Sequence, residues 1–221
     1  MKPIRRITKI RKLVRHLDRG YRWLRSVDQQ RPFGPDGGPI PWLNYGAFRF
    51  LDSFDWAGAR VGECGSGWSS MWWLSRGASV ESIEEIAGWA DEVERMAGTA
   101  RDRLRIHRCA TREQSDAALA GFAASVDVLV IDGSWRTACA QLAVRHVRPE
   151  ALVVVDNSDW YRRAAQVFRD AGRFEIPFEG VGPCSDIFTR TSFFVGSLDA
   201  LRARPRRAMG ATPAGREHEL E

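Results

Sequence analysis

Two pairs of oxygen-bearing side chains stand where apolar runs end. Asp132-Gly133 follows VDVLVI, and Asp156-Asn157 follows ALVVV. Aspartate and asparagine oxygens are hard ligands suited to Mg²⁺. An ion held by Asp132, Asp156 and Asn157 would lower the pKa of a bound hydroxyl and fix its oxygen for reaction. Without a metal, Asp132 is itself a candidate general base. Blander readings stand beside these. Asp132-Gly133 also suits a turn after a strand, and Asp156-Asn157 also suits a helix cap, with Ser158 and Asp159 as rivals. Arg136, one helical turn after Asp132, either pairs with it and leaves no room for a cation or binds an anionic substrate. His107 and His146 are the only histidines in the body of the chain, and a lone histidine is more often structural than catalytic.

A second constellation lies upstream in VGECGSGWSS, Val61 to Ser70. Gly65 and Gly67 match the start of a dinucleotide fingerprint, but Ser70 stands where the third glycine belongs. Glu63 precedes the glycines, and a carboxylate there repels a pyrophosphate and favours a cationic ligand. A nucleoside site also needs an acid at the end of the next strand to accept the ribose hydroxyls. Glu84, at the end of SVESIE, is placed for that role, with Glu81 and Glu85 as neighbours.

These residues need a scaffold that brings strand ends together. From Arg60 onward strand and helix patterns alternate. ARVGEC, SVESIE, RLRIHRCA, VDVLVIDG and ALVVVDN read as strands, separated by helical segments such as SSMWWLSRG, with Gly77 as its C-cap. The fourth and fifth runs are apolar on both faces, as central parallel strands are. FEIPF and TSFFVGS, close in sequence, read as an antiparallel edge pair. The pattern is α/β, a doubly wound Rossmann-like sheet, seven-stranded and mostly parallel.

The order and spacing of PIPWLNYGAFRFLD, RVGECGSGWSSMWWLSRGASVESIE, VLVIDGSWRTAC, LVVVDNSDWY and TRTSFFVG over roughly residues 39–196 resemble the class I S-adenosylmethionine (SAM)-dependent methyltransferases. The likeness is to bacterial small-molecule O-methyltransferases, whose catechol and macrolide-sugar types carry an Asp…Asp-Asn metal pattern. The resemblance implies SAM bound by Glu63, Gly65, Ser66, Gly67, Trp68, Ser69, Glu84, Cys109, Ala110, Asp132 and Trp135. It implies a reaction at Asp132, Asp156, Asn157 and Arg136, with Mg²⁺ or without it. Cys109 and Ala110 would lie at the adenine, and Trp135 would stack on it or wall the acceptor. Trp68 and Trp89 would stand near the nucleoside, Trp72 and Trp73 in the core, and Trp42 and Tyr45 over the acceptor as a lid. The expected acceptor is a small hydroxylated molecule, a sugar, glycoside or other specialised metabolite. The chain departs from the family at Gly62, where a bulky apolar residue is usual, and at Glu85-Ile86, where an aspartate more often follows. Two rivals remain: a non-catalytic SAM-binding module whose basic arm binds membrane or nucleic acid, and a nicotinamide oxidoreductase, disfavoured by Glu63 and Ser70.

Charge divides the chain of 221 residues. Residues 1–31 hold eleven Lys or Arg against two acids, whereas the chain as a whole is +5, so the remainder is mildly acidic. Ile4, Ile7, Ile10, Leu13, Val14, Leu17, Tyr21 and Leu24 recur at helical spacing between these cations. The expected organisation is a basic amphipathic arm over 1–30, a methyltransferase domain over 31–201 and a flexible tail over 202–221. The arm packs in a homodimer or on the domain, or it contacts a membrane surface. Without a recognition motif, nucleic acid is not expected as a partner. Four scattered cysteines without a CxxC pair, no apolar run of bilayer length and no secretory h-region point to a cytoplasmic protein.

Overall fold

The computed structural model describes residues 3–202 and 204–207. Five strands run parallel: β1 (Arg60–Cys64), β2 (Ser79–Glu84), β3 (Leu104–Arg108), β4 (Val128–Ile131) and β5 (Leu152–Val155). Two longer strands, β6 (Phe174–Val181) and β7 (Phe188–Val195), form an antiparallel hairpin, and β7 pairs antiparallel with β5. The order is β3-β2-β1-β4-β5-β7-β6, the expected seven-stranded sheet. Chain direction across the sheet reverses between β1 and β4. Ligands of such folds lie in the crevice above that point, at the carboxyl ends of the strands.

Helices cover both faces. On one side α3 (Tyr45–Asp52), α4 (Trp68–Ser75) and α5 (Ala87–Ala97) bury Phe48, Leu51, Trp72, Trp73 and Val93 against Val61, Val80 and Phe193. On the other, α6 (Arg112–Phe122), α7 (Arg136–His146) and α8 (Arg162–Asp170) bury Leu119, Phe122, Ala140, Ala143 and Phe168 against Leu129, Val153 and Phe194. Phe193 and Phe194 face opposite layers because strand side chains alternate.

Gly62 has a local reason. A Cβ built on it would lie 2.6 Å from Cε2 of Phe122. The ring on α6 fills the volume that a larger side chain on β1 would take.

The basic arm is two helices, not one. Arg22 adopts a left-handed conformation (φ 54°) and separates α1 (Pro3–Tyr21) from α2 (Trp23–Gln29). The second helix is part of the body. Ser26 is fully buried and receives the Phe33 amide at 3.0 Å. The Pro/Gly-rich stretch that follows packs as expected, with Phe33, Ile40 and Leu43 buried. At the other end, α9 (Leu198–Arg202) and residues 204–207 are tied down. The Asp55 amide bonds the Pro205 carbonyl, and the Arg207 amide bonds the Ser53 carbonyl. The rest of the expected tail, 203 and 208–221, lies outside the described residues.

Overpacking tests the Gly62 account. Gly62→Val should cost about 1–3 kcal/mol of unfolding free energy, read as a lower urea midpoint, and adding Phe122→Leu should recover part of it. An unchanged midpoint in Gly62→Val would contradict the assignment.

Candidate active site

The loop after β1 is built on backbone contact. Gly65 has φ +95°, and a Cβ there would lie 3.0 Å from both Cα and N of Gly133 in the loop after β4. A Cβ on Gly133 would in turn lie 2.9 Å from the Cys64 carbonyl oxygen. Both positions are therefore closed to side chains, and the ends of β1 and β4 touch directly. Ser70, which breaks the dinucleotide fingerprint, has its own work. Its hydroxyl donates a short hydrogen bond to Glu63 Oε2 and accepts the Gly67 amide at 3.0 Å, capping α4. Glu63 is fully buried, and its Oε1 has no hydrogen-bond partner. Burial raises its pKa to about 7, against the opposing pull of the Ser70 hydrogen bond.

Glu84 closes the other side of this loop. Its Oε2 accepts the Ser66 hydroxyl (2.9 Å) and amide (3.2 Å), and its Oε1 accepts the Glu85 and Ile86 amides at 3.0 Å each. The Trp89 indole donates to the Ser66 carbonyl at 2.9 Å. A cavity of about 230 Å³ opens beside the loop, lined by Gln30, Trp42, Gly65, Ser66, Gly67, Trp68, Ser69, Trp89 and Asp132. A second cavity of about 400 Å³ lies across the ends of β4 and β5. Trp42, Leu43, Asp132, Asp156, Asn157 and Trp160 line it, together with residues 182–185, Ile187 and Thr189 of the β6–β7 hairpin. Asp132 and Trp42 belong to both, so the two cavities adjoin at these residues.

Arg136 organises the second cavity. Its Nη2 pairs with Asp132 Oδ1 at 2.8 Å, and its Nη1 donates to Asn157 Oδ1 at 2.9 Å and to the Asp156 carbonyl at 2.6 Å. Its Nε donates to the Gly133 carbonyl at 3.0 Å, and the guanidinium lies over the Tyr161 ring. Asp156 is buried. Its Oδ1 receives the Thr191 hydroxyl at 2.5 Å, and Thr191 receives the Asn44 amide at 3.1 Å. Burial, then repulsion from Asp132, raises the Asp156 pKa to about 8. Burial also raises Asp132 to about 6, with Arg136 pulling it down and Glu63 pushing it up. Solvent still reaches about 30% of the Asp132 side chain, as a group facing two cavities requires.

The expected metal set does not fit a divalent cation. Asp132, Asp156 and Asn157 do converge, but Arg136 holds an oxygen of Asp132 and the only side-chain oxygen of Asn157, and Thr191 holds one of Asp156. The Arg136 guanidinium already supplies the positive charge that a metal would bring to these oxygens. Other expected residues lie elsewhere. Trp135 is the left-handed N-cap of α7 and lines neither cavity; Cys109 is buried in the core, and Ala110 is exposed. His107 bonds Glu81 at 2.7 Å between neighbouring strands and stacks on Phe122, and His146 ends α7. Tyr45 is buried and stacked on Tyr21, so Trp42 alone of the expected lid lines the site. Thr191, Asn44 and Gln30 were not expected. Only the run TRTSFFVG marked the first, as a strand and not as a site.

A family model described as a methyltransferase domain matches residues 63–158. No curated protein matches the chain. Among solved structures, an O-methyltransferase from Bacillus cereus in complex with SAH superposes with TM-score 0.50 at 20% identity, over 63% of this chain and 75% of that one. A fibrillarin from Aeropyrum pernix with bound S-adenosyl-L-methionine gives TM-score 0.50 at 14% identity, over 63% and 67%. A precorrin 8w decarboxylase from Methanobacterium thermoautotrophicum gives 0.52 at 12% identity, over 75% and 96%. At such identities the likeness is one of fold.

The buried acids make stability depend on pH. Unfolded carboxyls release their protons near pH 4, whereas folded Glu63, Asp132 and Asp156 hold theirs to about 7, 6 and 8. Over that interval the native state binds more protons than the unfolded chain, so stability falls as pH rises. The thermal midpoint should drop between about pH 5.5 and about pH 8.5, and Asp156→Asn should flatten the upper part of the slope. A midpoint that climbs over this range would refute the assignment.

Proposed function

We propose that this protein, which carries a match to a methyltransferase domain over residues 63–158, transfers a methyl group from SAM to a hydroxyl of a small acceptor, without a metal. The observation that carries the reading is the meeting of the two cavities at Asp132 and Trp42. The smaller cavity, with the Gly65–Ser69 loop and Glu84 at its back, suits the nucleoside. A ribose diol at Glu84 would exchange with the Ser66 hydroxyl, the one side-chain donor of the four. Glu63 beneath the loop favours a cation over a phosphate, and a cation nearby stabilises its ionised form.

SAM supplies an electrophilic methyl on a sulfonium. The chain supplies the rest. Arg136 takes Asp132 Oδ1 and leaves Oδ2 facing the junction to accept the acceptor's hydroxyl proton as its oxygen takes the methyl. Asp156, protonated near neutrality and fixed by Thr191, holds a polar acceptor group without adding a second negative charge. Trp42, Leu43, Trp160 and Ile187 give flat and apolar walls, suited to a sugar or phenol ring. A volume of about 400 Å³ is that of an ordinary small-molecule site.

Calorimetry with S-adenosylhomocysteine comes first. Wild type should bind in the micromolar range, and Gly65→Val should not bind. No heat with wild type would overturn the reading. Turnover is then measured with labelled SAM over a panel of phenols, sugars and glycosides. Asp132→Asn should lower kcat by about 10²–10⁴-fold with S-adenosylhomocysteine affinity nearly unchanged. A chelator should leave the wild-type rate unchanged, and a rate restored only by added Mg²⁺ would refute the metal-free mechanism.

A further inference from the structure

We propose that the acceptor opening docks on an anionic lipid surface through the exposed half of α1, so that the acceptor is an amphiphile drawn from that surface. The acceptor clause rests on the methyl-transfer reading; the docking does not. The first observation is the apolar stripe of α1. Its far end is occupied, since Leu17 and Tyr21 pack on the core. The same stripe then runs past the edge of the domain, where Ile7, Ile10 and Leu13 are 53–61% exposed. The rest of the helix surface is cationic. Arg6, Lys9, Arg11, Lys12, Arg15 and Arg19 are exposed, and none enters an ion pair among the described residues. A helix with a narrow apolar stripe and a basic polar face lies in a lipid interface, with each cation near the headgroups adding about 1 kcal/mol. No helix among the described residues is long and apolar enough to cross a membrane.

The second observation is an exposed apolar rim around the acceptor cavity, tied to the arm. Trp42, Trp160 and Ile187 line the acceptor cavity and yet are 42%, 60% and 50% exposed, and Phe188 beside them is 68% exposed. The arm is fastened to this rim. Trp23 Nε1 donates to the Ser185 carbonyl at 3.2 Å, and Cys184 Sγ donates to the Ser26 carbonyl at 3.1 Å. Thus α2 holds the 182–187 segment that walls the cavity, and α1 departs from α2. Nucleic acid would use the cations and leave Ile7, Ile10 and Leu13 unexplained. A second copy would cover the stripe and leave the aromatic rim unexplained. A lipid surface accounts for both.

The test is co-sedimentation of the full chain with vesicles. Binding should appear with phosphatidylglycerol mixed into phosphatidylcholine, be weak with phosphatidylcholine alone, and fall at high salt. Ile7→Asp with Ile10→Asp should weaken it about tenfold or more, with the thermal midpoint unchanged. Ile187→Ser with Phe188→Ser should weaken it severalfold. No binding to anionic vesicles overturns the proposal, as does binding that survives the α1 changes. Loss of a dimer in that variant without any vesicle binding would assign the stripe to a second copy, and preference for a DNA duplex would assign the arm to nucleic acid. Vesicle binding that ignores the Ile187/Phe188 changes would overturn the orientation of the acceptor opening. Because these readouts need neither SAM nor turnover, they fail separately from the methyl-transfer reading.

Discussion

The site depends on where one guanidinium sits. Arg136 starts α7 and reaches back to the ends of both β4 and β5, bonding Asp132, Gly133, Asp156 and Asn157. Two carboxylates this near each other in a buried crevice repel, and each unsatisfied charge costs several kcal/mol. The arginine relieves both problems with a planar fork of donors that lysine lacks. It also sorts the acids. Asp132 keeps the arginine as its direct partner and stays the more acidic, while Asp156 has only a hydroxyl on its side chain and holds its proton longer. Two chemically identical side chains thus differ in how long each holds its proton.

The other half of the site follows from the Gly65–Gly133 contact. It brings the loops after β1 and β4 to backbone distance, and the smaller cavity lies between the Gly65–Ser69 loop and Asp132. The same closeness buries Glu63 beneath the loop, where Ser70 is its partner. A third glycine at position 70 would remove the hydroxyl that bonds Glu63 Oε2. The departure from a dinucleotide fingerprint is therefore a requirement of the acid below it.

The sheet was legible because its signals are local. Buried parallel strands such as VDVLVI and ALVVV are apolar throughout, and the glycine loop falls between a strand and a helix. The convergence of Asp132, Asp156 and Asn157 followed from the rule that strand ends meet. What the convergence meant was not legible, because three oxygen ligands and an arginine-filled cage differ only in where one side chain points. Pairing and metal binding were both consistent with an Arg four residues after Asp132. Thr191 and Asn44 were missed for a related reason: Thr191 reaches Asp156 from 35 residues away in the chain, Asn44 reaches Thr191 from 147 residues away, and a Thr within a strand carries no mark of it. Trp135, at the left-handed start of α7, lines neither cavity.

The break at Arg22 changes what the basic arm is. A continuous helix over 1–30 would be an appendage, separable from the domain. Instead Gln30, which follows α2, lines the smaller cavity, and α2 bonds Cys184 and Ser185 at the larger one. Tyr21, at the end of α1, stacks on Tyr45 at 4.0 Å, and Asn44 next to it bonds Thr191, which bonds Asp156. A chain of contacts thus runs from the end of α1 to Asp156, at the cavity that Asp132 and Trp42 also line.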